Sequence, residues 1–248
     1  LMCIDFSDVV IATMLSDEVL AVLGYCYPLL YLMLALGLGV NQGLTILGSE
    51  VYIKHGQEAV YDYFLHAIYL SCLIAVVLGA AVFGVIYFEW IDGAFLQYMD
   101  MIRSYLNIIL MAIFPMFILL LMCSLCQITG KVWVIRDTLA LMLLVTCISH
   151  PFFALPFGLN MGLNGIAVSK VIVTYIGIMY AGYQIVDWTY FSDKVMQYNH
   201  VHFLKILSQA LPAACIQLLV PIYLLFLTRI ISGYGVSAVA GFSLGYRI

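Results

Sequence analysis

Long uncharged apolar stretches alternate with short polar connections from one end of the sequence to the other. Residues 67–88, 104–130, 138–169 and 206–228 each exceed the roughly 20 residues that cross a bilayer as a helix. Residues 19–49 form a longer run and 171–186 a shorter one. The recurrence of these runs predicts a single all-α polytopic membrane domain rather than an anchored soluble one.

The polar breaks set the expected elements. A first helix ends at the acidic turn Ser16-Asp17-Glu18, and a second runs from Leu20 to about Tyr52 with Pro28 inside it. Lys54-His55-Gly56-Gln57-Glu58 leads into a third helix over 61–88, whose Gly79, Ala80, Ala81 and Gly84 have the spacing of helix-packing residues. An acidic loop over 89–100 precedes a fourth helix, about 103–127, where Pro115 predicts a kink. After the connection 130–137, a fifth helix ends near His150-Pro151 or Leu155-Pro156, and 157–164 reads as a turn rich in Gly and Asn. A sixth helix over about 165–188 follows. Residues 187–205 form the longest polar segment and the best internal boundary, then a seventh helix covers 206–230 and an eighth starts near Val236.

Composition strengthens the membrane reading. The chain is 65% hydrophobic and 9% charged, against about 25% charged residues in soluble domains. The seven cysteines are scattered in apolar sequence, where a thiol behaves as a small hydrophobe, and the Cys123-x-x-Cys126 pair has no partner pair nearby. The net charge of -4 gives no sign of a nucleic-acid partner. The sequence has no basic signal region and starts and stops inside apolar runs, which predicts a longer natural protein. No metal-ligand set, nucleophile network or cofactor loop points to an enzyme. His200 and His202 lack convergent ligands for a metal.

Within this apolar background the polar positions carry the candidate chemistry. Asp5 and Asp8 are three residues apart and share one helix face. An intramembrane carboxylate is costly and belongs to a protein interior or an aqueous cavity, where it binds ions or protons. Asp5 alternatively caps or wets a helix end. Asn41 and Gln42, beside Gly37, Gly39 and Gly43, are candidates for a cavity wall or for close helix packing. Tyr25, Tyr27 and Tyr31 offer rings that stack on flat cations. Lys170, just inside the sixth helix, has to snorkel, pair or face water, and a border role fits it better than substrate contact.

Loop charges agree with one topology, although Arg103 and Arg229 lie near the opposite boundary. If the first helix exits on the non-cytoplasmic side, Lys54, Lys131, Arg136, Lys194 and Lys205 all fall in the cytoplasm, as basic residues prefer. An internal repeat is also visible. Leu20-Ala21-Val22-Leu23-Gly24 resembles Ser237-Ala238-Val239-Ala240-Gly241, each copy following a polar turn, with six helices between the copies. Even spacing implies two parallel six-helix bundles.

The run Asp8-Val9-Val10-Ile11-Ala12-Thr13-Met14-Leu15-Ser16-Asp17-Glu18-Val19-Leu20-Ala21, the second copy over 233–248 and the turn Met161-Gly162-Leu163-Asn164-Gly165-Ile166-Ala167 together resemble the multidrug and toxic compound extrusion family, the MATE transporters. The resemblance spans helix one into helix eight of an expected twelve. It implies a six-helix lobe over residues 1–188 with an incomplete first helix, a cytoplasmic inter-lobe connection over 189–205, and the start of a second lobe over 206–248. It further implies a secondary active antiporter that exports amphipathic or cationic organic compounds in exchange for protons or sodium ions, without a cofactor. A related flippase or exporter for a lipid-linked or amphiphilic metabolite is the alternative. A functional monomer in the plasma membrane or an intracellular membrane fits the resemblance.

By position, Asp8 matches the first-helix carboxylate implicated in coupling. The fifth-helix positions where the family carries Asn and then an acidic residue or Asn before proline read here as Thr146 and His150, followed by Pro151. An imidazole can titrate near neutral pH and take over part of a missing acidic network, or it can serve as a hydrogen-bonded helix-end residue. The seventh helix contains no acidic residue.

Overall fold

The computed structural model describes residues 2–87, 93–185 and 199–247. These form α1 (Met2–Leu15), α2 (Asp17–His55), α3 (Gln57–Tyr87), a 3-10 turn (Gly93–Tyr98), α4 (Met99–Ile128), α5 (Val132–Ala154), α6 (Leu163–Ile185), α7 (His200–Ser232) and α8 (Val236–Arg247). The described residues contain no strand. Helices α2 to α7 each carry a stretch long and apolar enough to cross a membrane, while α8 is a shorter apolar helix. Residues 89–92 of the expected acidic loop, 186–188 of the sixth helix and 189–198 of the inter-lobe connection lie outside the described residues.

The helices run further than the apolar pattern predicts because their polar ends are used as caps. Ser16 is the N-cap of α2, its Oγ accepting from the Val19 N–H at 3.2 Å, so Asp17 and Glu18 belong to the first turn of α2 rather than to a loop. There they offset the positive end of the helix dipole. Lys54 and His55 occupy the last turn, and Gly56 closes the helix at φ 80°, a conformation suited to glycine. Pro115 and Pro151 both lie inside helices, and α5 ends at Ala154, before Pro156.

The centre of the bundle is α2, which packs against α3, α4, α7 and α8. The 36–43 run divides its small and polar residues between two faces. Gly37 and Asn41 turn to α4: a Cβ at Gly37 would strike the Phe117 ring, and Asn41 Nδ2 donates to the Leu120 carbonyl at 2.5 Å while its own carbonyl accepts from Ser124 Oγ at 3.0 Å. Gly39 and Gly43 turn to α7, opposite Ala214 and Ala210. Two small-xxx-small pairs thus meet, which lets the backbones approach closely. The same packing role does not extend to Gly79, where a Cβ would meet no atom within 4 Å. The two repeat copies also touch, Gly24 of α2 lying against Ser243 and Val239 of α8.

Antiparallel alternation brings the end of α2, the end of α4 and the start of α7 together, with Gly48 against Ile128 and the Asn199 N–H on His66 Nε2 at 2.8 Å. Lys54, Lys131 and Lys205 all lie at this end of the bundle. Large apolar side chains such as Val76, Val77, Met111, Met179, Ile216 and Leu219 point outward, as a lipid-facing surface requires.

Candidate functional site

The fifth and sixth helices lie antiparallel in a register that repeats every four residues. Gly165 faces Ala154, with an added Cβ only 2.8 Å from Ala154 Cα and 2.5 Å from the Phe153 carbonyl oxygen. One turn on, Ser169 faces His150, and two turns further Gly177 faces Met142. The intervening loop feeds this approach by using the last carbonyls of α5: the N–H groups of Leu159, Met161 and Gly162 bond to Phe152, Phe153 and Ala154 at 2.9, 3.0 and 3.2 Å. Asn160 and Gly162 supply the positive φ values, 52° and 57°, that the turn needs. Gly165→Ala is expected to push α6 off α5 and to lengthen the Ser169–His150 bond. A destabilisation of about 1–3 kcal/mol should accompany it, read from thermal denaturation in detergent.

Ser169, His150 and Asp8 form a buried chain. Ser169 Oγ lies 2.8 Å from His150 Nδ1, and His150 Nε2 lies 2.8 Å from Asp8 Oδ1. Ser149 Oγ adds a fourth member through Ser169 Oγ. His150 is fully buried and Asp8 is 1% exposed. Ionised Asp8 can only accept, so Nε2 carries a hydrogen and donates. Nδ1 then has two options. On a neutral ring it accepts from Ser169, which accepts from Ser149; on a charged ring it donates to Ser169, which donates to Ser149. Reversing two hydroxyls accommodates one proton without moving a heavy atom.

Lys170, the residue after Ser169, turns to α1. Its Nζ contacts Asp8 Oδ2 directly and lies 3.8 Å from Asp5 Oδ1. The three-residue spacing of the aspartates therefore places both on one ammonium. Lys170 is not a border residue: it pairs in the interior, and its partners lie on a helix remote in sequence.

A cavity of about 140 Å³ opens beside the cluster. Its walls come from the middle of α2 (Met33, Leu34), α4 (Ile113, Met116), α5 (Met142, Thr146) and α6 (Lys170, Val173), so it sits near mid-height of the bundle. Among the described residues that line it, the charged ones are Asp5 and Lys170. Of the expected tyrosines, Tyr27 and Tyr31 face it, with ring centroids 6.0 Å apart, whereas Tyr25 stacks on Phe95 at 4.4 Å. Thr146 reaches the wall while its Oγ1 bonds back to the Met142 carbonyl at 2.7 Å. Asn41 is committed to α4 and Gln42 is not among the lining residues. His202 stacks on Tyr63 at 4.4 Å, and among the described residues no group of three metal-ligating side chains occurs. The sequence reading did not single out Ser149 or Ser169, and although it allowed Lys170 to pair, it did not name Asp5 and Asp8 as its partners.

These features define a polytopic, all-helical membrane protein with a buried charge cluster beside a mid-height cavity. The MatE family model matches residues 1–136, and the chain belongs to the MatE family. No curated protein matches the sequence. Among solved structures, the fold is similar to an inward-facing multidrug resistance MATE family transporter of the MOP superfamily (TM-score 0.84, 17% identity, 99% of this chain and 57% of that one). It is similar also to a Vibrio cholerae MATE transporter in its bent form (TM-score 0.77, 20% identity, 99% and 56%). A third is a MOP superfamily transporter from Pyrococcus furiosus Vc1, described for the reverse polarity of its binding pocket (TM-score 0.79, 17% identity, 98% and 55%). The chain thus spans little more than half the length of these proteins, and at such identities the likeness is one of fold.

Proposed function

We infer that the protein is a secondary active antiporter that exports amphipathic or cationic organic compounds by alternating access, with Asp8 as its coupling carboxylate. The observation that carries this reading is the Asp8–His150–Ser169 chain, buried beside a mid-height cavity that has charge on its wall. The Asp8 oxygens meet N–H donors rather than the oxygen ligands a hard metal cation takes, which favours protons over sodium as the coupling ion. The aromatic and methionine-rich walls suit an organic cation. In this reading residues 1–188 form one lobe, 189–205 connect the lobes on the cytoplasmic side, and 206–248 begin the second. The unit is a monomer in the plasma membrane or an intracellular membrane.

The test is uptake of tetraethylammonium into proteoliposomes under separately imposed proton and sodium gradients. A proton gradient should drive it and a sodium gradient should not. Movement under neither, together with transfer of a lipid-linked amphiphile, would replace this reading with the flippase. His150→Gln keeps a donor for Asp8 and an acceptor for Ser169 but cannot take a proton. Its transport is expected to continue with a flattened pH profile, and an unchanged profile would take proton handling away from His150.

A further inference from the structure

Most threonine hydroxyls in these helices are spent on their own backbone. Those of Thr13, Thr45, Thr129, Thr138, Thr146 and Thr174 each donate to the carbonyl three or four residues back, at 2.7–2.9 Å. Thr228 of α7 does not. The residue is 4% exposed, and its Oγ1 is buried with no hydrogen-bond partner among the described residues. A hydroxyl taken out of water without a partner costs free energy, and lipid tails supply none.

Thr228 lines a small cavity between α2, α7 and α8, walled also by Gly24, Pro28, Leu224 and Ser243. Its volume is about 10 Å³, close to the space one water requires. Two acceptors lie on the same wall. Pro28 has no N–H, so the Gly24 carbonyl lacks the donor that residue 28 gives in an unbroken helix. Ser243 Oγ donates to the Ala240 carbonyl at 2.9 Å and keeps lone pairs with which to accept. A Cβ added at Gly24 would come within 2.9 Å of that oxygen, so the Ser243 hydroxyl faces α2 at this turn. None of the described lining residues is charged, which suits a neutral hydrogen-bonding molecule rather than an ion. Thr228 lies one turn from the end of α7, and Gly24 and Ser243 two turns from the starts of α2 and α8. A water therefore has a short route from that end of the bundle.

We propose that this cavity is a binding site for one water molecule, which accepts from the Thr228 hydroxyl and donates to the Gly24 carbonyl and to Ser243 Oγ. Three bonds are the usual complement of a buried water. The bridge joins α7 and α8 to α2 at the point where Pro28 opens the α2 hydrogen-bond ladder. Tyr27 walls both this site and the larger cavity, and so stands between the water and the space proposed for cargo. The water site does not depend on the antiport reading.

The experiment is thermal denaturation of the purified intact protein in detergent, wild type against Thr228→Val. Valine has nearly the shape of threonine and a similar helix propensity, so the sign of the shift reports what the hydroxyl does. With the bridge in place, Thr228→Val should melt about 2–4 °C lower, because a buried hydrogen bond is left unmade. A hydroxyl without a partner would make the variant melt higher than the wild type. That result, or an unchanged melting temperature, overturns the proposal. Pro28→Ala supplies the N–H that the Gly24 carbonyl lacks, so Thr228→Val should lower the melting temperature less in that background. An equal fall in both backgrounds overturns the bridge. Where a variant does not fold, the wild-type density decides, at a resolution that shows other buried waters. A peak about 2.7–3.0 Å from both Thr228 Oγ1 and the Gly24 oxygen supports the site, and its absence overturns it.

Discussion

Asp8→Asn should abolish gradient-driven transport and lower the melting temperature of the protein. The amide cannot be ionised, so the Asp8–His150–Ser169 chain loses its anionic end, and Lys170 keeps the Asp5 carboxylate at 3.8 Å. Removing one partner of a buried ion pair costs about 3–5 kcal/mol, because the remaining charge stays buried without its counter-ion. The double variant Asp8→Asn/Lys170→Met carries neither charge at that contact. It is expected to regain most of the lost stability and none of the transport. Thermal denaturation in detergent and proton-driven uptake in proteoliposomes separate the two effects. Equal melting of the single and double variants would mean that the pair contributes nothing to stability.

Gly39→Leu should arrest transport by a different route. A Cβ at Gly39 would lie 2.5 Å from Ala214 Cβ and 2.7 Å from Ala214 Cα, so α2 and α7 cannot keep their separation. Overpacking of this kind costs about 1–3 kcal/mol, and much of the contact is backbone, which cannot rotate away. Spin labels on the two helices should report a longer distance than in the wild type. Gly79→Leu is the control, since open space surrounds that position, and it should transport normally. If both variants transport normally, close approach of α2 to α7 is not needed in the cycle.

Much of this architecture could be read from the sequence because lipid imposes a simple pattern. Apolar runs gave the helices, and errors fell at their ends, where Ser16, Asp17 and Lys54 proved to be caps and first- or last-turn residues rather than loop. Asp8 stood out as a carboxylate among apolar neighbours, and His150 as a polar residue before a proline. Their contact did not show, since nothing local links α1 to α5. Lys170 was misplaced for the same reason: position near a helix start suggested an interface, while its environment is set by α1. A lone cation in one apolar helix and two carboxylates in another were the available signal, because charges in a bilayer pair with one another. The 36–43 run was ambiguous in sequence, as packing and cavity lining use the same small and polar residues. In the structure that run alternates between α4 and α7, with Asn41 hydrogen-bonded to α4.

The pairing of α1 with α6 also bears on how the chain enters the membrane. Alone, α1 carries two carboxylates and α6 one ammonium, and each Asp or Lys opposes insertion at a helix centre by about 2.5–3.5 kcal/mol. These costs fall when α1 meets α5 and α6, and more than a hundred residues separate α1 from both. Helix α1 is therefore expected to gain most of its stability in the bilayer interior once α5 and α6 supply His150 and Lys170. The same contacts that line the candidate site thus tie the first helix of the lobe to its last.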